Sequence, residues 1–92
     1  MKVTMKSVID IKDICEEMCI HMSKFEFIQT AENDSYISLN LNKEAFEDLQ
    51  EEIEWEDGKS LSRLERLKNQ YRLMSILYKM GYVDEVLIYV NW

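Results

Sequence analysis

Proline is absent from this chain of 92 residues, glycine occurs twice, histidine once and cysteine twice. Without proline or glycine clusters there is no linker-like stretch, so residues 1–92 read as a single domain. At that length about 60–65% of the unfolded chain's surface is buried on folding. One histidine, with no glycine-rich phosphate loop, dinucleotide fingerprint or nucleophile elbow, leaves few parts for catalysis, and no enzyme is expected. The abundant carboxylates do not alter this, because without a shaped cleft any two of them could be paired on paper. Cys15 and Cys19 stand one helical turn apart, which suits neither a disulfide framework nor a secreted scaffold. A zinc site needs more ligands, and His21 lies about 160° around the helix from Cys19. Buried, inert thiols and a surface or helix-end histidine are expected, with no metal and no cofactor.

Long apolar runs are missing too. None approaches the ~20 residues of a membrane span, and Met1–Lys6 lacks the apolar core of a secretory signal, so a bacterial cytoplasm is the expected address. Basic residues are scarce: 11 Lys and Arg against 18 Asp and Glu give a net charge of −7. That balance argues against nucleic acid or an anionic membrane as the direct ligand, since phosphate binding is driven by Lys and Arg displacing counterions. The shortage of Ala, Gly and Pro beside plentiful Lys, Ile, Asn and Glu is the bias of an A+T-rich bacterial or phage genome. With 47% hydrophobic residues the chain nevertheless has material for a true core.

The apolar spacing outlines the elements. Lys2–Lys6 alternates as a short strand, and Ser7 with Asp10 resembles a capping box opening a helix to about Ser23. Phe25–Thr30 and Tyr36–Leu41 read as a hairpin across Ala31–Ser35, whose Asn and Asp favour a turn. Asn42 has the place of an N-cap, with Leu41 and Phe46 set for a hydrophobic staple. The helix it opens buries Phe46, Leu49 and Ile53 and stops near Asp57–Gly58. Ser60 starts a longer helix whose Leu61, Leu64, Leu67, Tyr71, Met74 and Tyr78 step by three and four. Its last turns, Leu73 to Met80, are apolar nearly all round, so that end should be buried, and Gly81 closes it. Val86–Trp92 is β-branched and aromatic, with Val86, Ile88, Val90 and Trp92 on one face. The expected fold is α+β, a small antiparallel sheet of three or four strands with three helices on one face. Its order, β-α-β-β-α-α-β, is a variant of the ferredoxin-like pattern.

The charge layout is the most informative feature. Glu44 to Asp57 holds eight acidic residues and no basic one, whereas Gly58 to Lys79 holds six basic residues and one acid. At 100° per residue Phe46, Leu49 and Ile53 cluster on one side of the first of these helices. Glu44, Glu47, Asp48 and Glu51 fall on the other side, within an arc of about 100°, and Trp55 points out through its middle. Glu54 and Glu56 add to the field. Like charges at Glu44–Asp48, Glu47–Glu51 and Asp48–Glu52 each cost about 0.2–0.5 kcal/mol, so the face is kept against a local penalty. It reads either as a docking surface for a basic partner or as solvated surface paired with Lys59, Arg63 and Arg66, with Trp55 folded over the turn.

Three function classes follow. In general type the chain resembles the small, acidic, single-domain inhibitors of phages and mobile elements: anti-CRISPR and anti-restriction proteins, and nuclease-immunity proteins. The resemblance rests on size, acidity and lack of catalytic machinery, and carries no residue over. It implies a protein partner, a basic nucleic-acid-handling enzyme, bound through Glu44, Glu47, Asp48, Glu51, Glu54, Trp55 and Glu56 as a nucleic-acid mimic. The alternative is an accessory or adaptor subunit that uses its third helix or a sheet edge. The seam Leu64, Leu67, Tyr71, Met74 and Tyr78 on that helix also allows a homodimer. The third class is a small nucleic-acid-binding domain, with Arg63 and Arg66 on phosphate and strand aromatics Phe25, Phe27, Tyr36 and Tyr89 stacking bases.

Overall fold

A computed structural model describes residues 7–91. The chain runs β1 (Ser7–Asp10), α1 (Ile11–Met18), a 3-10 turn (Met22–Lys24), α2 (Glu26–Thr30), β2 (Tyr36–Asn40), α3 (Lys43–Glu56), α4 (Leu61–Lys79) and β3 (Glu85–Tyr89). It is a small α+β fold. The sheet has the order β1-β3-β2, with β3 central, parallel to β1 and antiparallel to β2. It is therefore mixed rather than antiparallel, and the described residues hold four α-helices rather than three. The expected first strand, Lys2–Lys6, lies outside the described residues.

β3 is central and has no exposed position: Val86, Ile88 and Val90 are buried while Leu87 and Tyr89 are half-buried. Ser7 pairs with Val86 and Asp10 with Tyr89 on one side; Tyr36 opposes Tyr89 and Asn40 opposes Glu85 on the other. The Tyr36 and Tyr89 rings meet at 5.3 Å, a direct cross-strand contact. Backbone bonds from Val90 to Ser35 and from Leu41 to Asp84 continue the β2–β3 ladder past both ends.

Two stretches depart from the periodicity. Ser7–Asp10 is a strand, and the N-cap is Asp10, whose Oδ1 accepts from the Lys12 N–H at 2.9 Å. The helix then ends at Met18, five residues early, because Cys19 takes a left-handed conformation (φ 57°) and the Ile20 N–H returns to the Cys15 carbonyl. Phe25–Thr30 is not a strand and forms no hairpin with β2. Phe27 and Ile28 are both buried, which two-residue alternation forbids. The backbone here is satisfied by α4: Gln70 Oε1 accepts from the Phe27 N–H at 3.0 Å, and Asn69 Nδ2 donates to the Lys24 carbonyl at 3.0 Å. Long-range side-chain bonds have replaced a sheet ladder.

The α3–α4 pair forms where expected. The end of α4 is not buried all round, however: Leu77 is inside while Tyr78 and Met80 are 56% and 66% exposed, because only one side of the last turn faces the core. Asn42 Oδ1 caps the Ala45 N–H at 2.8 Å, and the Ser60 hydroxyl caps the Arg63 N–H. Phe46 meets Tyr71 and Tyr78 edge-on at 5.5 and 6.0 Å, locking the two helices together. Leu64, Leu67, Leu73, Met74 and Leu77 are buried on α4, whereas Leu61, at the first helical position, is 82% exposed. No helix among the described residues is long and apolar enough to cross a membrane. Replacing Asn42 by Ala should remove about 1 kcal/mol and lower the melting temperature by about 4–8 °C, measured by thermal denaturation.

Candidate functional site

α3 carries the acidic face. Its inward positions, Leu49 buried with Ala45, Phe46 and Ile53 half-buried, fix the helix rotation and turn the opposite side to solvent. Glu44, Glu47, Asp48, Glu51 and Glu54 are all exposed, and Trp55 is 71% exposed among them. Asp48, Glu51, Glu52, Glu54, Trp55 and Arg63 line one open, shallow depression. The only ion pair on the outward arc among the described residues is Lys43–Glu47 at 3.8 Å. Both ends of that pair are well solvated, so it contributes little and is screened by salt.

Lys59, just past the Asp57–Gly58 turn, reaches back to Trp55, with Nζ 3.5 Å from the ring centroid. One ring face is thus covered by the chain's own cation, while the side chain stays largely open to water. The spacing of four residues between Trp55 and Lys59 is a sequence signal for this pairing that the turn between them obscures.

Glu56 parts company with the other six residues. It is 8% exposed and bonds the Arg63 guanidinium at 2.7 Å. Arg63 reaches Glu26 on α2 at 2.7 Å as well, and Arg66 holds the other Glu26 oxygen at 3.2 Å. The Glu56 hydrogen bond, opposed by desolvation and helped by the Glu26 charge, raises the Arg63 pKa further above its ordinary value. Glu56 therefore adds structure rather than outward field. Periodicity contained the hint, since residue 56 falls only about 20° from Leu49 around the helix. The same contacts engage Arg63 and Arg66 with carboxylates, although their side chains stay 35% and 25% exposed.

The remaining polar candidates are local. Cys15 is half-buried, and burial raises its thiol pKa. Cys19, expected inside, is exposed because it occupies the left-handed cap of α1, with its Sγ donating to the Glu16 carbonyl at 3.6 Å. His21 is exposed and caps the 3-10 turn, Nδ1 accepting from the Ser23 N–H at 3.1 Å. Among the described residues no three His, Cys, Asp or Glu side chains are grouped to hold a metal ion. Phe25 and Phe27 stack at 5.2 Å inside the core and are closed to bases.

Substituting Arg63 by Met strands Glu56 and should cost about 2 kcal/mol, less than a fully buried pair because the Arg63 side chain is 35% exposed. Arg66→Met leaves Glu26 with Arg63 and should cost under about 1 kcal/mol, both read by urea unfolding. Trp55→Ala should cost no more than about 1 kcal/mol, the scale of an exposed cation–π contact. No protein-family model, no curated protein and no solved structure matches the chain.

Proposed function

We propose that this protein is a small non-catalytic inhibitor that docks the acidic face of α3 on the basic site of a nucleic-acid-handling enzyme. The observation that carries the reading is the exposed row Glu44, Glu47, Asp48 and Glu51 around a Trp55 that is 71% solvent-exposed. Carboxylates at helical spacing put negative charge about 5–6 Å apart along the face, a repeated array of the sign that a phosphate backbone presents. They steer a basic partner to the face, and the indole supplies an anchor of large area and low side-chain entropy. Glu54 widens the field. Glu56 acts from behind, by holding Arg63 and so the end of α3.

An exposed Trp within like charges serves no core, and the nearest arginines are engaged elsewhere, so the face is left with little neutralisation. Such an inhibitor belongs in a bacterial cytoplasm, as a phage or mobile-element anti-defence protein of the anti-CRISPR or anti-restriction type, or as a nuclease-immunity protein. The adaptor reading is weakened where it relies on the seam of α4. Leu64, Leu67 and Met74 are buried there, while Tyr71 and Tyr78 rest on Phe46. Direct nucleic-acid binding would have to compete with Glu56 and Glu26 for Arg63 and Arg66.

The test is a pull-down from bacterial lysate on immobilised protein, eluted on a salt gradient, beside a column of Glu47→Gln/Asp48→Asn/Glu51→Gln. Wild type should retain a basic nucleic-acid enzyme released by moderate salt, and the triple variant should lose it. With the purified partner, association should slow by about 10-fold or more in the variant at low salt, and converge with wild type as salt rises. Equal retention on both columns would refute the acidic-face reading.

A further inference from the structure

A second concave surface lies away from α3. α1 and the C-terminal half of α4 leave between them a groove of about 480 Å³. Ile14 and Met18 form one wall, Ile76 and Met80 the other. Its floor reaches the buried core through Leu73 and Leu77. Met80 is 66% exposed at the lip, while Met18 opposite is 5% exposed, so it is the Met80 thioether that adapts to what fills the groove. The volume is that of a site holding one small ligand or a few peptide anchors.

The acidic residues of the lining are Asp13 and Glu17, both exposed on α1 and separated by four residues. They stand one above the other, about 6 Å apart, on the same side of the groove. Neither has an ion-pair partner among the described residues. An apolar trough with two carboxylates one turn apart is the complement of a helix with an apolar stripe flanked by Lys or Arg at matching spacing. The chain's net charge of −7 adds attraction for a cationic segment.

We propose that this groove is a docking site for a basic amphipathic helix of a partner protein, whose apolar side chains enter between Met18 and Met80 and whose Lys or Arg pair with Asp13 and Glu17. This site is separate from the face around Trp55. Arg63, at the edge of the Trp55 depression, is 13 to 17 residues from Ile76 and Met80, about 20–25 Å along α4.

The probe is a fluorescently labelled 14-residue Leu–Lys peptide of helical amphipathic pattern, used where it is monomeric and followed by anisotropy with the full chain. A scrambled Leu–Lys peptide and a Leu–Glu peptide of the same pattern serve as references. The patterned Leu–Lys peptide should bind at least 10-fold more tightly than either. Met80→Ser, and separately Asp13→Asn/Glu17→Gln, should each weaken it at least 5-fold; all three positions are exposed, so circular dichroism should be unchanged. The variant Glu47→Gln/Asp48→Asn/Glu51→Gln should retain binding within 2-fold. Equal binding of the scrambled peptide, insensitivity to the groove substitutions, or loss only in the α3 variant would overturn the proposal. So would a wild-type dimer in sedimentation that Met80→Ser dissolves, since a second copy would then fill the groove.

Discussion

Two carboxylates from different helices share one guanidinium. Glu56 at the end of α3 and Glu26 at the start of α2 are each about one-tenth exposed, and both contact Arg63 at 2.7 Å. Removing either carboxylate from water costs free energy that this shared cation must offset, so their positions depend on it more than on local propensity. The arrangement sets the rest of the helical layer. Arg63, Arg66, Asn69 and Gln70 form one polar stripe along α4, and through them α2 and the 3-10 turn before it are tied to that helix. The apolar stripe of α4, Leu64 to Leu77, faces the core beside it.

This explains how the polarised charge map becomes a polarised surface. In sequence, the acidic run of α3 is followed by the basic run of α4, and two adjacent helices of opposite sign could simply neutralise each other. The fold divides them differently. The two arginines nearest α3 are occupied by Glu56 and Glu26, Lys59 is laid on the Trp55 ring, and the outward carboxylates are left with the solvated Lys43–Glu47 contact. Attraction that would have quenched the face instead holds the interior, so the exposed negative charge of α3 survives folding almost intact.

Legibility in the sequence tracked the source of each element's hydrogen bonds. α3 and α4 were readable because caps, apolar spacing and stop signals all lie within the elements: Asn42, Ser60 and the Asp57–Gly58 turn act on their own neighbours. β3 was readable from its alternation. Phe25–Thr30 was not, because its aromatic alternation is genuine in sequence, and its helical turn is imposed by Gln70 and the arginines more than 35 positions away. The parallel pairing of Ser7–Asp10 with β3 is likewise a long-range fact, invisible to a reading that saw a capping box in Ser7 and Asp10. Of the seven residues named for the acidic site, the five on the helical arc and Glu54 beside it are exposed. Glu56 is not, since being acidic in an acidic run concealed that its angle belongs beside Leu49.

α4 is the element on which both surfaces depend, and it uses its two ends differently. At its N-terminal end the helix contributes charge, holding Glu56 and thereby the last turn of α3 on which Trp55 stands. At its C-terminal end it contributes apolar side chains to a trough that α1 rims with carboxylates. A helix of 19 residues spans about 28 Å, so ligands at the two ends need not collide, and one long partner could touch both. Because Arg63 and Arg66 are held by Glu56 and Glu26, the outward carboxylates of α3 keep their charge around one exposed indole, and Asp13 and Glu17 keep theirs beside the groove.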